Sequence, residues 1–387
     1  MAQAFDAIVV GCGSVGVPSA YYLARKGLKV LAVDKRSAVG QGENKAAIGG
    51  VRATHSDPAK ILVCKESLKE LSTWQERHGA DVGWKPGGYC FPVYTEGIEN
   101  TLQGILPLQK SFGLNIEWVD ADTVAEIVPG IEREGLRGGT YSPEDGQVSP
   151  LKTSVAFARA AIELGVEFRF NEPVLGYLRD GDSVVGVRTD KGEYHAPQVV
   201  LAAGSDAGRH SELLGVKIPV EPDSHEAGIT MPVQEFLKPL IVDLRPGQEG
   251  KTANFYFGQV ADGAIIFCYT PQELFKGDNH ESLSEFLPVL ARRMVSLIPR
   301  MRHLLVRRVW RGCYPMTPDG IPIVDNVEAV PGLTLAVGMC GQGFMMGPGI
   351  GMIVAELVTE GRSLLSSEVH ASLRFERDYA AKKEALK

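Results

Sequence analysis

The sequence lacks long apolar runs, paired cysteines and any excess of positive charge, and each absence excludes a class of protein. No stretch approaches the roughly 20 apolar residues of a membrane-spanning helix. The formal net charge of −7 argues against nucleic acid or an anionic membrane as the main partner. The six cysteines form no CxxC pair and no Cys/His cluster, so we predict reduced thiols, no iron–sulfur cluster and no metal site; they stand at positions 12, 64, 90, 268, 313 and 340.

The remaining composition is that of an ordinary globular protein. The 387 residues are 44% hydrophobic and 22% charged, and they suffice for two domains with substantial cores. An apolar strand begins within a few residues of Met1, so we expect no signal peptide. We therefore expect a cytoplasmic α/β protein.

Residues 6–36 carry the strongest signal, DAIVVGCGSVGVPSAYYLARKGLKVLAVDKR. An apolar strand at 7–10 leads into a glycine motif, a helix follows to about Lys26, and a second apolar strand at 30–33 ends in Asp34. This order predicts a βαβ unit that binds a dinucleotide.

Each part of that motif has a physical role. Gly11 permits the tight turn, Gly13 lets a pyrophosphate approach the backbone, and Gly16 allows the helix and strand to pack closely. The helix N-terminus favours negative charge, and Asp34 can accept the hydroxyls of a ribose.

Farther along, the pattern alternates between two kinds of segment. An apolar strand at 198–201 is typical of a buried parallel sheet. From 218 to 270 the strands alternate instead, with a hairpin turn at Asp262-Gly263, and a helix is predicted over 282–298. We predict a discontinuous nucleotide-binding domain of residues 1–85, 145–215 and 305–387, with a substrate domain formed by 86–144 and 216–304.

Four segments, taken in order, resemble the FAD-dependent oxidoreductases of the D-amino-acid oxidase superfamily. The likeness is greatest to the β-subunits of sarcosine oxidase and of dye-linked L-proline dehydrogenase. It implies a Rossmann-like FAD-binding domain of the glutathione-reductase-2 type with an inserted, mainly antiparallel substrate domain. The segments are the βαβ unit, VVLAAGSDAG (199–208), RGCYPMTPDGIPIVD (311–325) and AVGMCGQGFMMGPGIGMIVAELV (336–358).

The resemblance also implies which residues hold FAD. The glycine motif would face the pyrophosphate, Asp34 the ribose, and Val174 the adenine through its backbone. A helix N-terminus after 341–345 would stabilise negative charge on the flavin ring. The full set is Gly11, Gly13, Ser14, Val15, Gly16, Asp34, Lys35, Arg36, Val174, Ala203, Gly204, Gly341, Gln342, Gly343, Phe344 and Met345.

Four side chains are candidates for the substrate site. Arg52 follows the Gly49-Gly50 turn, where relatives place an arginine that binds the substrate carboxylate, although it could equally form a surface salt bridge. His225 could accept the amine proton or be a structural histidine. Tyr314 and Tyr256 could line the substrate pocket or simply pack in the core, and His55 is a weaker candidate.

Three departures from the resembled family refine the prediction. Covalent-flavin relatives carry a cysteine where this chain has Gly312, with Cys313 displaced by one residue, so we expect non-covalent FAD. Met345 replaces a lysine that binds the carboxylate in those relatives. The strand at 264–270 lacks the lysine that promotes reaction with oxygen, which favours a dehydrogenase over an oxidase.

The predicted function is oxidation of the C–N bond of an amino acid or secondary amine, sarcosine- or proline-like, by hydride transfer to flavin N5. The resulting imine would hydrolyse. Two alternatives stay open: a FAD-dependent 2-hydroxy-acid dehydrogenase on the same fold, and a flavin-carrying subunit of a larger complex. The expected partners are the small-molecule substrate, an electron acceptor that the sequence does not identify, and further subunits, identical or different.

Overall fold

The computed structural model describes residues 3–247, 250–381, 384 and 386. The strands are β1 (Gln3–Ala4), β2 (Ala7–Val10), β3 (Val30–Val33), β4 (Gly50–Val51), β5 (Lys85–Pro86), β6 (Tyr89–Val93), β7 (Glu117–Val119), β8 (Gly138–Ser142), β9 (Gly146–Gln147), β10 (Glu167–Arg169), β11 (Val174–Asp180), β12 (Ser183–Thr189), β13 (Glu193–His195), β14 (Gln198–Leu201), β15 (Glu221–Thr230), β16 (Leu240–Asp243), β17 (Thr252–Gln259), β18 (Ile265–Pro271), β19 (Val306–Met316), β20 (Ile323–Asn326) and β21 (Leu333–Val337). The helices are α1 (Gly16–Arg25), α2 (Pro58–Ser72), α3 (Trp74–His78), α4 (Glu96–Ser111), α5 (Ala121–Ile127), α6 (Pro150–Glu163), α7 (His210–Leu214), α8 (Phe286–Leu297), α9 (Gly343–Glu360) and α10 (Ser367–His370).

A six-stranded sheet forms the centre of the nucleotide-binding part, in the order β10-β3-β2-β14-β21-β20. All neighbours are parallel except β20 and β21. Helices α1, α2, α6 and α9 cover one face, and the four-stranded sheet β1-β13-β12-β11 covers the other. Because both faces are covered, β2 and β3 are apolar at every position, and the predicted βαβ unit is confirmed.

An eight-stranded, mostly antiparallel sheet forms the second part, in the order β19-β15-β18-β17-β16-β6-β8-β7. The predicted hairpin at 262–263 is confirmed, since it joins β17 and β18 in antiparallel register. The predicted α/β class with a second, largely antiparallel sheet is therefore confirmed. The domain boundaries stay a prediction.

Two helices begin at other residues than predicted. Helix α8 begins at Phe286 rather than 282, because the Leu283 N–H donates a hydrogen bond to the Glu226 carboxylate (2.9 Å) and ties this segment to the sheet. Helix α9 was expected to begin after the segment 341–345, but it begins at Gly343 and includes Gly347. A Cβ at Gly347 would stand 1.9 Å from the Ser14 carbonyl oxygen, so this glycine serves close packing against the glycine motif.

None of the helices in the described part of the chain is both long enough and apolar enough to cross a membrane.

Candidate active site

A cavity of about 500 Å³ lies between the carboxyl ends of the parallel strands and the eight-stranded sheet. The last residues of β2 and β3 and the residues that follow β14 line it on one side, and residues of β15, β17, β18 and β19 line it on the other. In open α/β sheets, ligands bind at this end of the strands. The cavity therefore extends from the nucleotide motif to the second sheet. We call the part of it that is lined by the second sheet the chamber.

The glycine motif is shaped to admit a phosphate. A Cβ at Gly16 would stand 1.8 Å from the Gly11 carbonyl oxygen, so the turn closes only with glycine at that position. A Cβ at Gly13 would meet nothing within 4 Å, which leaves open space directly over the backbone. Gly11, Gly13, Ser14 and Val15 line the cavity, whereas Gly16 lies behind them and acts through packing.

Asp34 lies at the end of β3, beside the motif. Its carboxylate oxygens accept hydrogen bonds from the backbone N–H groups of Cys12 (2.6 Å) and Arg36 (2.7 Å). These bonds fix the carboxylate at the cavity wall, and each oxygen keeps a lone pair for a ribose hydroxyl.

The other predicted cofactor residues also line the cavity. Lys35 is ion-paired with Asp206, which the sequence analysis did not select. The remaining lining positions are Arg36, Val174, Ala203, Gly204, Gly341, Gln342, Gly343, Phe344 and Met345.

The N-terminus of α9 lies at the part of the cavity where we expect the flavin ring. Gln342, at the N-cap position, is buried, and its Oε1 atom has no hydrogen-bond partner among the described residues. An orphaned buried acceptor beside a helix N-terminus fits a ligand that carries both donors and partial negative charge. With the open cradle at Gly13 and the fixed Asp34, the residues present fit FAD along the length of the cavity.

The predicted substrate-site residues also line the cavity, and the Tyr314 ring packs against Gly341. The His225 Nε2 atom lies 2.9 Å from Asp223 Oδ2, and the ring stacks on Tyr314 with 3.8 Å between centroids. With Nε2–H donated to the carboxylate, Nδ1 is the bare acceptor. It is buried in the lining of the cavity, with no hydrogen-bond partner in the described part of the chain.

Tyr256 and Tyr314 form a second pair in the same wall. Their hydroxyl oxygens lie 2.5 Å apart, and both residues line the cavity with Cys268. Burial holds the pKa of each phenol well above its ordinary value, so both stay protonated. Burial likewise raises the pKa of the Cys268 thiol to about 12, so this wall is uncharged.

Arg52 is buried at the edge of the cavity and is held by the chain itself. Its guanidinium donates to the carbonyl oxygens of Thr54 and Leu386, the latter at 2.8 Å, and lies over the Phe91 ring at 5.6 Å. A guanidinium has five N–H donors, so these two bonds leave donors for a carboxylate. A surface salt bridge does not describe this environment, because Arg52 is only 5% exposed.

His55 lies behind Arg52, with its Nδ1 atom 3.5 Å from Arg52 Nη1. Burial and the adjacent cation hold its pKa well below the ordinary value, so the ring is neutral. His55 is not among the residues that line the cavity.

The sequence analysis missed two residues of the chamber, Asp223 and Cys268. Asp223 stands two positions before His225 on one strand, and that spacing puts both side chains on the same face. This spacing could have identified Asp223 from the sequence. Cys268 could be placed only once the order of the strands was known.

Cys313 also lines the cavity, next to Ser224 and Asp278. Its Sγ atom lies 3.7 Å from Ser224 Oγ and 3.6 Å from Asp278 Oδ1. At Gly312, a Cβ would stand 2.5 Å from the Ala46 Cβ, so this backbone has no room for a side chain at the position of the covalent cysteine.

Comparison with known proteins agrees with this geometry. Residues 6–357 match the family model described as FAD dependent oxidoreductase. The chain is 26% identical to the sarcosine oxidase subunit beta of Arthrobacter sp, over 97% of this chain and 92% of that protein. It is 27% identical to the 4-methylaminobutanoate oxidase (formaldehyde-forming) of Paenarthrobacter nicotinovorans, over 92% of this chain but only 43% of that longer protein.

Among solved structures, the fold is similar to that of L-proline dehydrogenase from P. horikoshii, with a TM-score of 0.90 and 30% identity. That match covers 97% of this chain and 99% of the other. The family match extends over most of the chain and includes every cavity-lining segment, so this protein belongs to the DAO family of FAD-dependent oxidoreductases.

Proposed function

We propose that this protein oxidises the C–N bond of an amino acid or secondary amine, with a sarcosine- or proline-like compound as substrate. The proposal rests on one observation. Arg52, which has N–H donors left for a ligand, lines the same cavity as the glycine motif and as His225, whose buried Nδ1 atom has no hydrogen-bond partner among the described residues. The similarity to a sarcosine oxidase subunit and to an L-proline dehydrogenase supports the same substrate class.

Arg52 binds the substrate carboxylate in this mechanism. Its guanidinium is pre-oriented by the Thr54 and Leu386 carbonyl groups, so little side-chain entropy is lost when the substrate arrives. Since Met345 supplies no second cation, Arg52 carries most of the discrimination in favour of amino acids.

His225 takes the proton from the substrate amine. Asp223 holds the Nε2–H, which leaves Nδ1 as the acceptor and stabilises the imidazolium that forms. The oxidation removes a hydride, that is one proton with two electrons, from the substrate carbon, and bound FAD supplies the two-electron acceptor. Water then hydrolyses the imine product.

The uncharged wall of Tyr256, Tyr314 and Cys268 excludes water from the reacting carbon. No lysine lies on β18, so we propose a dehydrogenase that delivers electrons to a carrier rather than to oxygen. The crowded backbone at Gly312 and the contact of the Cys313 thiol with Asp278 support FAD held without a covalent bond.

Two other proposals use the same cavity. In a 2-hydroxy-acid dehydrogenase, the His225–Asp223 pair would deprotonate an alcohol instead of an amine. In a multi-subunit assembly, a partner chain would carry the next electron acceptor, and the similarity to a subunit of sarcosine oxidase favours testing for one.

The test is anaerobic bleaching of FAD in the purified chain, with proline, N-methyl amino acids, simple amines and 2-hydroxy acids compared at equal concentration. Rapid bleaching by a proline- or sarcosine-like compound, followed by slow recolouring in air, is expected. Bleaching by hydroxy acids alone would contradict the C–N assignment. If FAD is bound and no compound bleaches it, the lone chain is not the catalytic unit.

A further inference from the structure

A mixed group of metal-ligand side chains lies at the rim of the cavity, and the proposed chemistry does not use it. It consists of Glu43, Asp278, His280 and Cys313. One ligand atom from each of the four can be chosen so that all lie within 4.8 Å of one another. No spacing pattern in the sequence indicates this group, because three segments far apart in the chain supply the four residues.

Two separations at Asp278 match those of a tetrahedral zinc site. Asp278 Oδ1 lies 3.4 Å from His280 Nδ1. Glu43 Oε1 lies 3.4 Å from the other ring nitrogen, Nε2, and one ion is bound by only one of the two nitrogens. Cys313 Sγ lies 3.6 Å from Asp278 Oδ1. Ligands placed at ordinary Zn–N, Zn–O and Zn–S distances around one tetrahedral ion stand about 3.3–3.7 Å apart.

The surroundings also orient the ligands. The Cys313 backbone N–H donates to Glu43 at 2.6 Å, which fixes the carboxylate next to the thiol of the same residue. Arg209 Nη2 lies 3.6 Å from Asp278 Oδ2. Two carboxylates and a thiolate around a divalent ion leave a net charge of −1, which this guanidinium can offset.

We propose that Glu43, Asp278, His280 and Cys313 bind one divalent ion of the zinc class. The sulfur, nitrogen and oxygen donors suit a borderline ion rather than calcium or magnesium. This departs from the sequence prediction of no metal site, and it is independent of the proposed amine oxidation.

The ion would join three parts of the fold. Glu43 follows the βαβ unit, Asp278 and His280 lie between β18 and α8, and Cys313 lies on β19. It would therefore cross-link the nucleotide-binding part to the second sheet at the rim of the cavity. Burial raises the pKa of the Cys313 thiol to about 12, so binding releases the thiol proton.

The experiment uses the FAD-loaded protein, stripped of metal with EDTA and titrated with Zn²⁺ against a competing chelator. Stoichiometry is read by elemental analysis and the ligand set by X-ray absorption at the zinc edge. We expect one zinc per chain, a sulfur neighbour at about 2.3 Å, and at least a tenfold loss of affinity in both Cys313→Ser and His280→Ala. The matched control is His303→Ala, an exposed histidine elsewhere, which should leave the affinity unchanged.

His280 is exposed, so its variant should fold even if the buried Cys313→Ser does not. Zinc should also raise the Tm of the wild type but not that of His280→Ala. Absence of stoichiometric zinc, a shell of only oxygen and nitrogen, or equal affinity in wild type and His280→Ala would overturn the proposal.

Discussion

His225 and Asp223 lie on the same face of β15, with Nε2 and Oδ2 2.9 Å apart, and both are buried. The carboxylate fixes which ring nitrogen carries the proton, and therefore which one is the acceptor. Replacement of Asp223 by asparagine and by glutamate tests this arrangement.

The Asp223→Asn change should lower kcat by about 10- to 100-fold, because the amide can stabilise the wrong tautomer and cannot stabilise an imidazolium. A purely structural role would leave the pH dependence of kcat unchanged. We expect instead that the part of the profile in which kcat increases with pH moves to a different pH range. Asp223→Glu should recover part of the rate. Asp182→Asn, at an exposed turn, is the control.

The Arg52→Lys change should raise the KM for amino-acid substrates by about 10- to 100-fold, since lysine cannot form the bidentate bond to a carboxylate. The rate with an amine that lacks a carboxylate should change little. Measuring both substrates in one preparation separates carboxylate binding from damage to the fold. Equal losses for the two would argue against a carboxylate role.

The Gly13→Ala change should weaken FAD binding by at least about tenfold while leaving the apoprotein as stable as the wild type. Its new methyl group meets no protein atom but occupies the space over the backbone that a pyrophosphate needs. Gly97→Ala is the matched control, because its methyl group also meets nothing and lies far from the motif, in α4. FAD titration and thermal unfolding of the apoproteins distinguish the two effects.

Asp145 should make the protein more stable as the pH falls from about 6 towards 4. Burial raises the pKa of this carboxyl group to about 6, so the folded chain binds its proton more tightly than the unfolded chain does. Above pH 6 the charged form costs on the order of 3 kcal/mol.

Asp145→Asn keeps an acceptor for the Ala53 N–H and a partner for the Ser142 hydroxyl. The variant should unfold at a higher urea concentration than the wild type at pH 7.5, and the difference should shrink at pH 5. A variant less stable at both pH values would show that the ionised form is the favourable one.

Local signals in the sequence predicted the βαβ unit at one side of the cavity. The strand, turn, helix and acid of 6–36 lie next to each other in the chain, so short-range pattern determines their geometry. Gln342 was expected from the family resemblance of the segment 336–358 rather than from a local pattern.

The substrate half depends on which strands are neighbours, and single-sequence pattern does not contain that information. Strand β19 pairs with β15 so that Asp223 stands opposite Tyr314 and His225 opposite Gly312. This register brings the imidazole onto the phenol ring and turns Cys313 to the other face. Likewise, no local rule links Arg52 to the carbonyl of Leu386, which lies 334 positions away.

The order of the central sheet also has a consequence for biosynthesis. The strand that leads into the glycine motif pairs with β14, and β14 pairs with β21, so the cradle for the nucleotide spans nearly the entire length of the polypeptide. On the ribosome, the first 40 residues emerge long before the strand and helix that complete their binding site. A nascent chain that ends before residue 345 carries the motif without the α9 end of the cavity. Capture of FAD should therefore follow translation rather than accompany it, and a cell short of the cofactor would accumulate full-length apoprotein.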